Sequence, residues 1–241
     1  MSEYPRISVV LPAYQEAKRI GATIGRWSSF LSSYHAGAEL IVVCDGCADD
    51  TASVARDNFV SDNCTFSVIE LPLNRGKGAA VKAGVAAATG ATIVFTDADM
   101  SYEPEILGLF LAKIEAGADV AIAQRQKDEQ YPGLGRRIVA VASRFLIGNF
   151  AMPGIRDTQA GFKAFKKEVA HDLFTAMTVE RFLFDLEILV IARQRNYRIE
   201  KVYVTWIDKP GSTVRIFVDS CRSARDLISI MLRKWTGRYS R

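Results

Sequence analysis

ATIVFTDADMSY, residues 91–102, carries an apolar run, Ile93-Val94-Phe95, that stops at two carboxylates one residue apart, Asp97 and Asp99. A short β-branched and aromatic run before a polar turn predicts a buried parallel strand ending at the C-terminal edge of a sheet. In open α/β sheets that edge is where ligands bind. Two acidic side chains so close repel each other unless a cation or hydrogen bonds offset the charge, and hard divalent ions prefer such oxygen ligands. A plain strand-to-helix loop is the other reading, because Ser101 and Glu103-Pro104 have the character of a helix start. What lies upstream bears on the choice.

Working back from this stretch, three further apolar runs end in polar turns. Ile7–Leu11 is the first, closed by Pro12 and followed by Tyr14, Gln15 and Glu16. Ile20, Ile24, Trp27 and Leu31 then recur at helical spacing. Glu39–Val43 is the second strand and ends in Cys44-Asp45-Gly46-Cys47, with Asp49, Asp50 and Thr51 as capping groups for another helix. Phe66–Leu71 is the third, followed by Asn74-Arg75-Gly76-Lys77-Gly78 and an Ala-rich helix to Ala88, with Gly90 as its stop. The alternation predicts an α/β fold, a single mostly parallel sheet flanked by helices. Right-handed crossovers then bring Pro12 to Glu16, Asp45, Lys77, Asp97 and Asp99 to one rim.

Downstream, a helix over Glu103–Ala116 and a fifth strand over Ala118–Ala123 lead to Gln124-Arg125. Residues 126–135 are polar and loop-like. Arg136-Arg137 then open a strongly apolar segment to Met152, which suits either a core helix or a helix lying in a bilayer surface with arginines at the headgroups. Further helices are expected over Lys167–Met177, Arg181–Arg195 and Val218–Lys234, and a last strand over Ile199–Trp206 before a turn at Asp208–Ser212.

The net charge of +4 is too weak to argue for nucleic acid but permits attraction to phosphates or anionic lipid. Four cysteines make no disulfide framework, and no secretory signal is evident, so a cytoplasmic setting is expected. No run of about 18 uninterrupted apolar residues occurs, so no membrane-spanning helix is expected. The two histidines, His35 and His171, stand in no constellation for triad hydrolysis. Cys44 and Cys47 form one C-x-x-C pair with no histidine near, which lacks the ligands of a tetrahedral zinc site; two small residues at a strand end are the simpler reading. Gly76-Lys77-Gly78 is not a Walker loop, and Pro12-Ala13-Tyr14 stands where a dinucleotide fingerprint requires Gly-x-Gly. Kinase and dehydrogenase readings are therefore weak.

The ordered set Ser8 to Glu16, Asp45-Gly46, Asn74 to Gly78 and Asp97-Ala98-Asp99 resembles the family 2 glycosyltransferases of the GT-A, nucleotide-diphospho-sugar transferase type. Asp157 to Lys163, Arg181 to Glu187, Trp206 to Ser212 and Arg225-Asp226-Leu227 resemble the polyprenyl-phosphate (dolichyl-phosphate) hexosyl synthases, and most of all the dolichyl-phosphate β-glucosyltransferases. The sequence departs from that pattern at Cys44-Asp45-Gly46-Cys47, where relatives usually have Asp-Asp-Gly-Ser, and at Ser101, where mannosyl relatives often have Gln.

The resemblance implies a single catalytic domain over residues 1–241. Residues 1–125 would be the nucleotide-binding half and 126–241 the acceptor-binding half, with candidate interfacial helices over 136–152 and 218–235. The implied reaction is metal-dependent, inverting transfer of a hexose, glucose favoured, from a nucleotide-sugar, UDP favoured, to a polyprenyl or dolichyl phosphate at the cytoplasmic face of a membrane. Pro12, Tyr14, Glu16, Asp45, Lys77 and Asp97 would hold the nucleotide, and Asp97 and Asp99 a magnesium or manganese ion. Arg125, Arg136 and Arg137, and after them Lys163, would bring the two anions together. Asp157, Gln159 and Glu187 would orient sugar hydroxyls or arginines. The alternatives are a GDP-mannose-dependent enzyme of the same kind, a family 2 transferase with a soluble acceptor, and a nucleotide-sugar-binding protein without turnover.

Overall fold

Each apolar run that ends at a polar turn becomes a strand. The computed structural model describes residues 7–33, 37–125, 152–155, 157–205 and 216–240. Strands β1 (Ile7–Ala13), β2 (Ala38–Asp45), β3 (Cys64–Leu71) and β4 (Thr92–Thr96) alternate with helices α1 (Ile20–Ser32), α2 (Thr51–Asp57) and α3 (Lys77–Ala87). A 3-10 turn over Pro104–Ile106, with proline at its first position, leads into α4 (Leu107–Glu115). Then follow β5 (Val120–Arg125), β6 (Phe162–Lys166), α5 (Lys167–Ala176), α6 (Phe184–Gln194), β7 (Ile199–Val204) and α7 (Ile216–Trp235).

These strands form one seven-stranded sheet in the order β3-β2-β1-β4-β6-β5-β7. All neighbours are parallel except β6, which runs antiparallel to both β4 and β5. The mostly parallel sheet expected from the sequence is present, but β6 was not expected: no element is assigned from the sequence to the stretch that ends at Phe165. Its sequence, Phe-Lys-Ala-Phe-Lys, places Lys163 at a fully buried position, where lysine masks a strand pattern. Helix boundaries shift by a few residues. The helix expected from Arg181 begins at Phe184, and the one expected from Val218 begins at Ile216. The segment over 136–151, with Arg136 and Arg137, and the turn over Asp208–Ser212 lie outside the described residues. Among the described residues no helix is long and apolar enough to cross a membrane.

Strand β1 is buried along its whole length, and its alternate residues feed two layers. Val10 joins Ile41, Val43, Phe95 and the faces of α3, α5 and α6. Val9 and Leu11 join Leu40, Val42 and the faces of α1, α2 and α4. The Ala and Gly content of α3 has a packing reason. A side chain at Gly84 would start 2.3 Å from Val10 Cγ1, and one at Gly78 would start 2.7 Å from Phe184 Cβ. The helix gives up about 1 kcal/mol of propensity at each glycine and gains a close seat on the sheet and on α6.

β1 has β2 on one side and β4 on the other, so the order of the strands reverses between β1 and β4. In open sheets a crevice forms outside the C-terminal ends of such a strand pair. Tyr14 follows the end of β1, and Asp97 follows the end of β4.

Candidate active site

A cavity of about 680 Å³ occupies that crevice. Its lining includes Pro12, Tyr14 and Glu16 after β1, Asp45 at the end of β2, Lys77 at the start of α3, and Asp97 and Asp99 after β4. All six residues expected to hold the nucleotide, and both expected metal ligands, therefore reach one cavity. Asn74, Arg181, Phe182 and Arg222 also line it, and sequence reasoning gave none of these four a site role.

Two sequence segments about 30 residues apart are one hydrogen-bonded unit. The Asp45 carboxylate, 3% exposed, accepts from Arg75 N (2.8 Å), Gly76 N (2.7 Å) and Asn74 Nδ2 (3.0 Å). Gly76 has φ +118° and ψ 162°, a region essentially restricted to glycine. A side chain there would also start 2.6 Å from Glu180 O. Ala79 N donates to the same Glu180 carbonyl at 3.0 Å, so the chain carrying Arg181 and Phe182 is fastened to the first turn of α3. Asp45 thus spends its hydrogen-bonding capacity on shaping the loop before Lys77, while its edge forms part of the cavity wall.

The loops after β1 and β4 are held in similar ways. Gln15 and Met100 are left-handed non-glycine residues, at φ 56° and 58°. Gln15 Oε1 accepts from Ala48 N at 2.8 Å, tying the loop after β1 to the loop after β2. Thr23 Oγ1 donates to Ala98 O at 2.7 Å, and Asp99 Oδ1 accepts from Ser101 N at 2.9 Å.

Charges of alternating sign gather behind the cavity. Lys77 Nζ stands 2.6 Å from Asp97 Oδ1. Burial alone would lower the Lys77 ammonium, but Asp97, Asp185 and Asp99 carry it above its usual range, so it is a fixed cation. Lys163 is fully buried. Its Nζ lies 2.5 Å from Asp185 Oδ1, donates to Ala160 O at 2.8 Å, and sits 5.3 Å from the centre of the Phe95 ring. Burial pushes Lys163 down and Asp185 up, and their pairing opposes both shifts.

The residues expected to manage the acceptor are distributed otherwise. Lys163 is under the sheet surface in the pair just described, not in the cavity wall. Arg125 makes a two-pronged contact with Asp157, Nε to Oδ2 at 2.5 Å and Nη2 to Oδ1 at 3.0 Å, which joins the end of β5 to the chain ahead of β6. Gln159 is exposed. Glu187 is fully buried and accepts from Thr178 N (2.9 Å), Val179 N (2.6 Å), Thr178 Oγ1 (2.7 Å) and Tyr239 Oη (2.6 Å). That set of donors saturates a carboxylate, which leaves it nothing to offer a sugar. Cys44 and Cys47 are free thiols, and burial, with Cys47 beside it, pushes Cys44 up to about 12.

The donor set at the rim suits a hard divalent ion. Asp97 and Asp99 offer carboxylate oxygens, and among the described residues no cluster of three or more His, Cys, Asp or Glu side chains completes an all-protein cage. One or two carboxylates with substrate phosphates and water in the remaining positions is how magnesium is usually held. A side chain at Gly161 would start 1.8 Å from Asp97 Oδ2, so the glycine is what lets this carboxylate occupy its place.

The model of the family "Glycosyl transferase family 2" matches residues 8–174. A dolichyl-phosphate beta-glucosyltransferase of Drosophila melanogaster is 34% identical over 97% of this chain and 76% of its own length. The Homo sapiens protein of the same name is 32% identical over 97% of this chain and 77% of its own. Among solved structures, glucosyl-3-phosphoglycerate synthase from Mycobacterium tuberculosis, in complex with Mn2+, UDP-glucose and phosphoglyceric acid, aligns with a TM-score of 0.71 at 22% identity. The alignment covers 95% of this chain and 79% of that one. At that identity the likeness establishes the fold alone.

Proposed function

We propose that this chain, which belongs to glycosyl transferase family 2, transfers glucose from UDP-glucose to the phosphate of a dolichyl or other polyprenyl lipid, with inversion at the anomeric carbon. The observation that carries the proposal is the gathering of Pro12, Tyr14, Glu16, Asp45, Lys77, Asp97 and Asp99 in one cavity. It is supported by relatives that bear the dolichyl-phosphate beta-glucosyltransferase name over nearly the whole chain.

Pro12, Tyr14, Glu16 and Asp45 form the wall for the nucleoside, and Lys77 supplies fixed positive charge beside the diphosphate. Asp97 and Asp99 would hold a magnesium or manganese ion, which when bound supplies Lewis-acid stabilisation of the departing nucleotide. The nucleophile is a phosphate oxygen, already ionised near neutral pH, so no side chain needs to remove a proton from it. The use of Glu187 and Asp157 in structural contacts is compatible with such an acceptor.

A lipid acceptor requires the protein to meet a membrane surface, and α7 suits that contact. Leu227, Ile230 and Met231 turn towards the core, while Ile228, Leu232 and Trp235, at 61%, 53% and 70% exposure, form an outward stripe near Arg225. An amphipathic helix with basic residues and tryptophan is suited to lie in the interface of an anionic leaflet. The enzyme would then work as a peripheral protein at the cytoplasmic face.

Calorimetry with UDP-glucose and GDP-mannose in the presence of magnesium tests the donor assignment. Tighter binding of UDP-glucose is expected. Tighter binding of GDP-mannose overturns the choice of sugar, and binding of neither overturns the function.

A further inference from the structure

Most cations around the site are already paired. Lys77 faces Asp97, Lys163 faces Asp185, Arg125 is forked onto Asp157, and Arg75 pairs with Glu180. Arg181 and Arg222 line the same cavity and have no carboxylate partner among the described residues. Two arginines that line one cavity without a carboxylate partner can seat an anion there.

From this we infer that Arg181 and Arg222 together clasp the phosphate of the lipid acceptor, and that α7 reads both ends of that lipid. The inference rests on the polyprenyl-phosphate reading above. Arg181 is a fixed member: a side chain at Gly76 would start 2.9 Å from its Cγ, and Ala79 N holds the preceding carbonyl. Arg222 arrives from α7, which also carries the outward stripe of Ile228, Leu232 and Trp235. At 1.5 Å per residue, the 13 positions from Arg222 to Trp235 span about 20 Å. One helix therefore supplies a cation to the cavity and an apolar stripe to the surface. An amphiphile whose phosphate enters the site while its tail stays in the bilayer needs both. Phe182, 42% exposed and next to Arg181, adds an apolar surface at the cavity itself, where the first isoprene unit would follow the phosphate. A donor diphosphate is the other source of the same chemistry, and the test separates the two.

The test measures binding of farnesyl phosphate and of farnesol to the wild-type protein, Arg181→Gln and Arg222→Gln. UDP-glucose binding with magnesium and glucosyl transfer to farnesyl phosphate are measured on the same samples. Wild-type protein is expected to prefer the phosphate over the alcohol by about tenfold or more, and each variant to lose most of that preference. UDP-glucose affinity should stay within about twofold, since the clasp takes no part in donor binding. A phosphate preference that survives in both variants overturns the inference. So does a loss confined to UDP-glucose, which would assign the arginines to the donor. Should the variants lose the phosphate preference while wild-type protein makes no glucosylated product, the clasp stands and the acceptor reading falls.

Discussion

Asp97 and Gly161 occupy what would otherwise be the same space: a β-carbon at 161 would stand 1.8 Å from Asp97 Oδ2, and Asp97 N donates to Gly161 O at 3.2 Å. The rim carboxylate is thus placed by the residue that leads into β6, the strand antiparallel to both its neighbours. Gly161→Ala is expected to displace Asp97, break its contact with Lys77, and lower glucosyl transfer by about 100-fold, the scale of an ångström-sized misplacement. Overpacking should cost about 1–3 kcal/mol, so the variant remains folded. Steady-state kinetics and a thermal melt check both halves of the prediction; wild-type kinetics would show that Asp97 needs no such clearance.

Asp45→Asn keeps the size of the side chain but turns one acceptor oxygen into a donor facing backbone N–H groups. Hydrogen bonds to a charged acceptor contribute about 1.5–3 kcal/mol each, so a destabilisation of about 2–3 kcal/mol in urea is expected. The loop that positions Lys77 should loosen, and UDP-glucose binding should weaken by about tenfold by calorimetry. An unchanged urea midpoint would contradict the role assigned to this carboxylate.

Glu187 separates two accounts of an acid at a helix start. If it orients a sugar, Glu187→Gln and Glu187→Ala should both abolish transfer. The structure predicts otherwise. A glutamine can accept from Thr178 N and Val179 N through its oxygen, while the hydroxyls of Thr178 and Tyr239 rotate to accept from its amide. Glu187→Gln should therefore retain most activity. Glu187→Ala leaves several buried donors without partners and should destabilise by about 3 kcal/mol or more.

The outward face of α7 is tested with Leu232→Ser and Trp235→Ser together. Both side chains are more than half exposed, so the melting temperature should hold. Full burial of each would contribute about 1.5–3 kcal/mol, so co-sedimentation with phosphatidylserine vesicles should fall by tenfold or more. Nucleotide affinity should not change. Equal sedimentation of variant and wild type would remove α7 from the membrane contact.

The first four strands and the rim residues were legible because each apolar run gives way within a residue or two to a polar turn, although β1 continues through Pro12, expected to close it, to Ala13, and β2 runs on to Asp45. The switch between β1 and β4 follows from that alternation. β6 was hidden because Lys163 sits in its centre, and the partner that makes the position tolerable, Asp185, lies 22 residues further on. Glu187, expected to orient sugar hydroxyls or arginines, is spent on other contacts for a related reason, and Asp185 beside it is too. Acids in the first turn of a helix ordinarily face solvent and favour the helix dipole, yet here both are buried and tied to distant partners. Arg181 opens a stretch that carries the resemblance and Arg222 lies in a helix expected at a membrane surface, but nothing local assigns either to the cavity. Their shared place in the cavity arises from the packing of α6 against α3 and of α7 against α6, which no spacing in the chain reveals.

The most direct test of the central claim is to incubate the protein with farnesyl phosphate and magnesium, offering UDP-glucose, UDP-N-acetylglucosamine and GDP-mannose in separate reactions, and to look for product by mass spectrometry. The account predicts glucosyl farnesyl phosphate from UDP-glucose, its loss on chelation of the metal, and its loss in Asp99→Ala. A product from GDP-mannose alone, or UDP-glucose consumed only when a soluble sugar or alcohol is supplied, would contradict it.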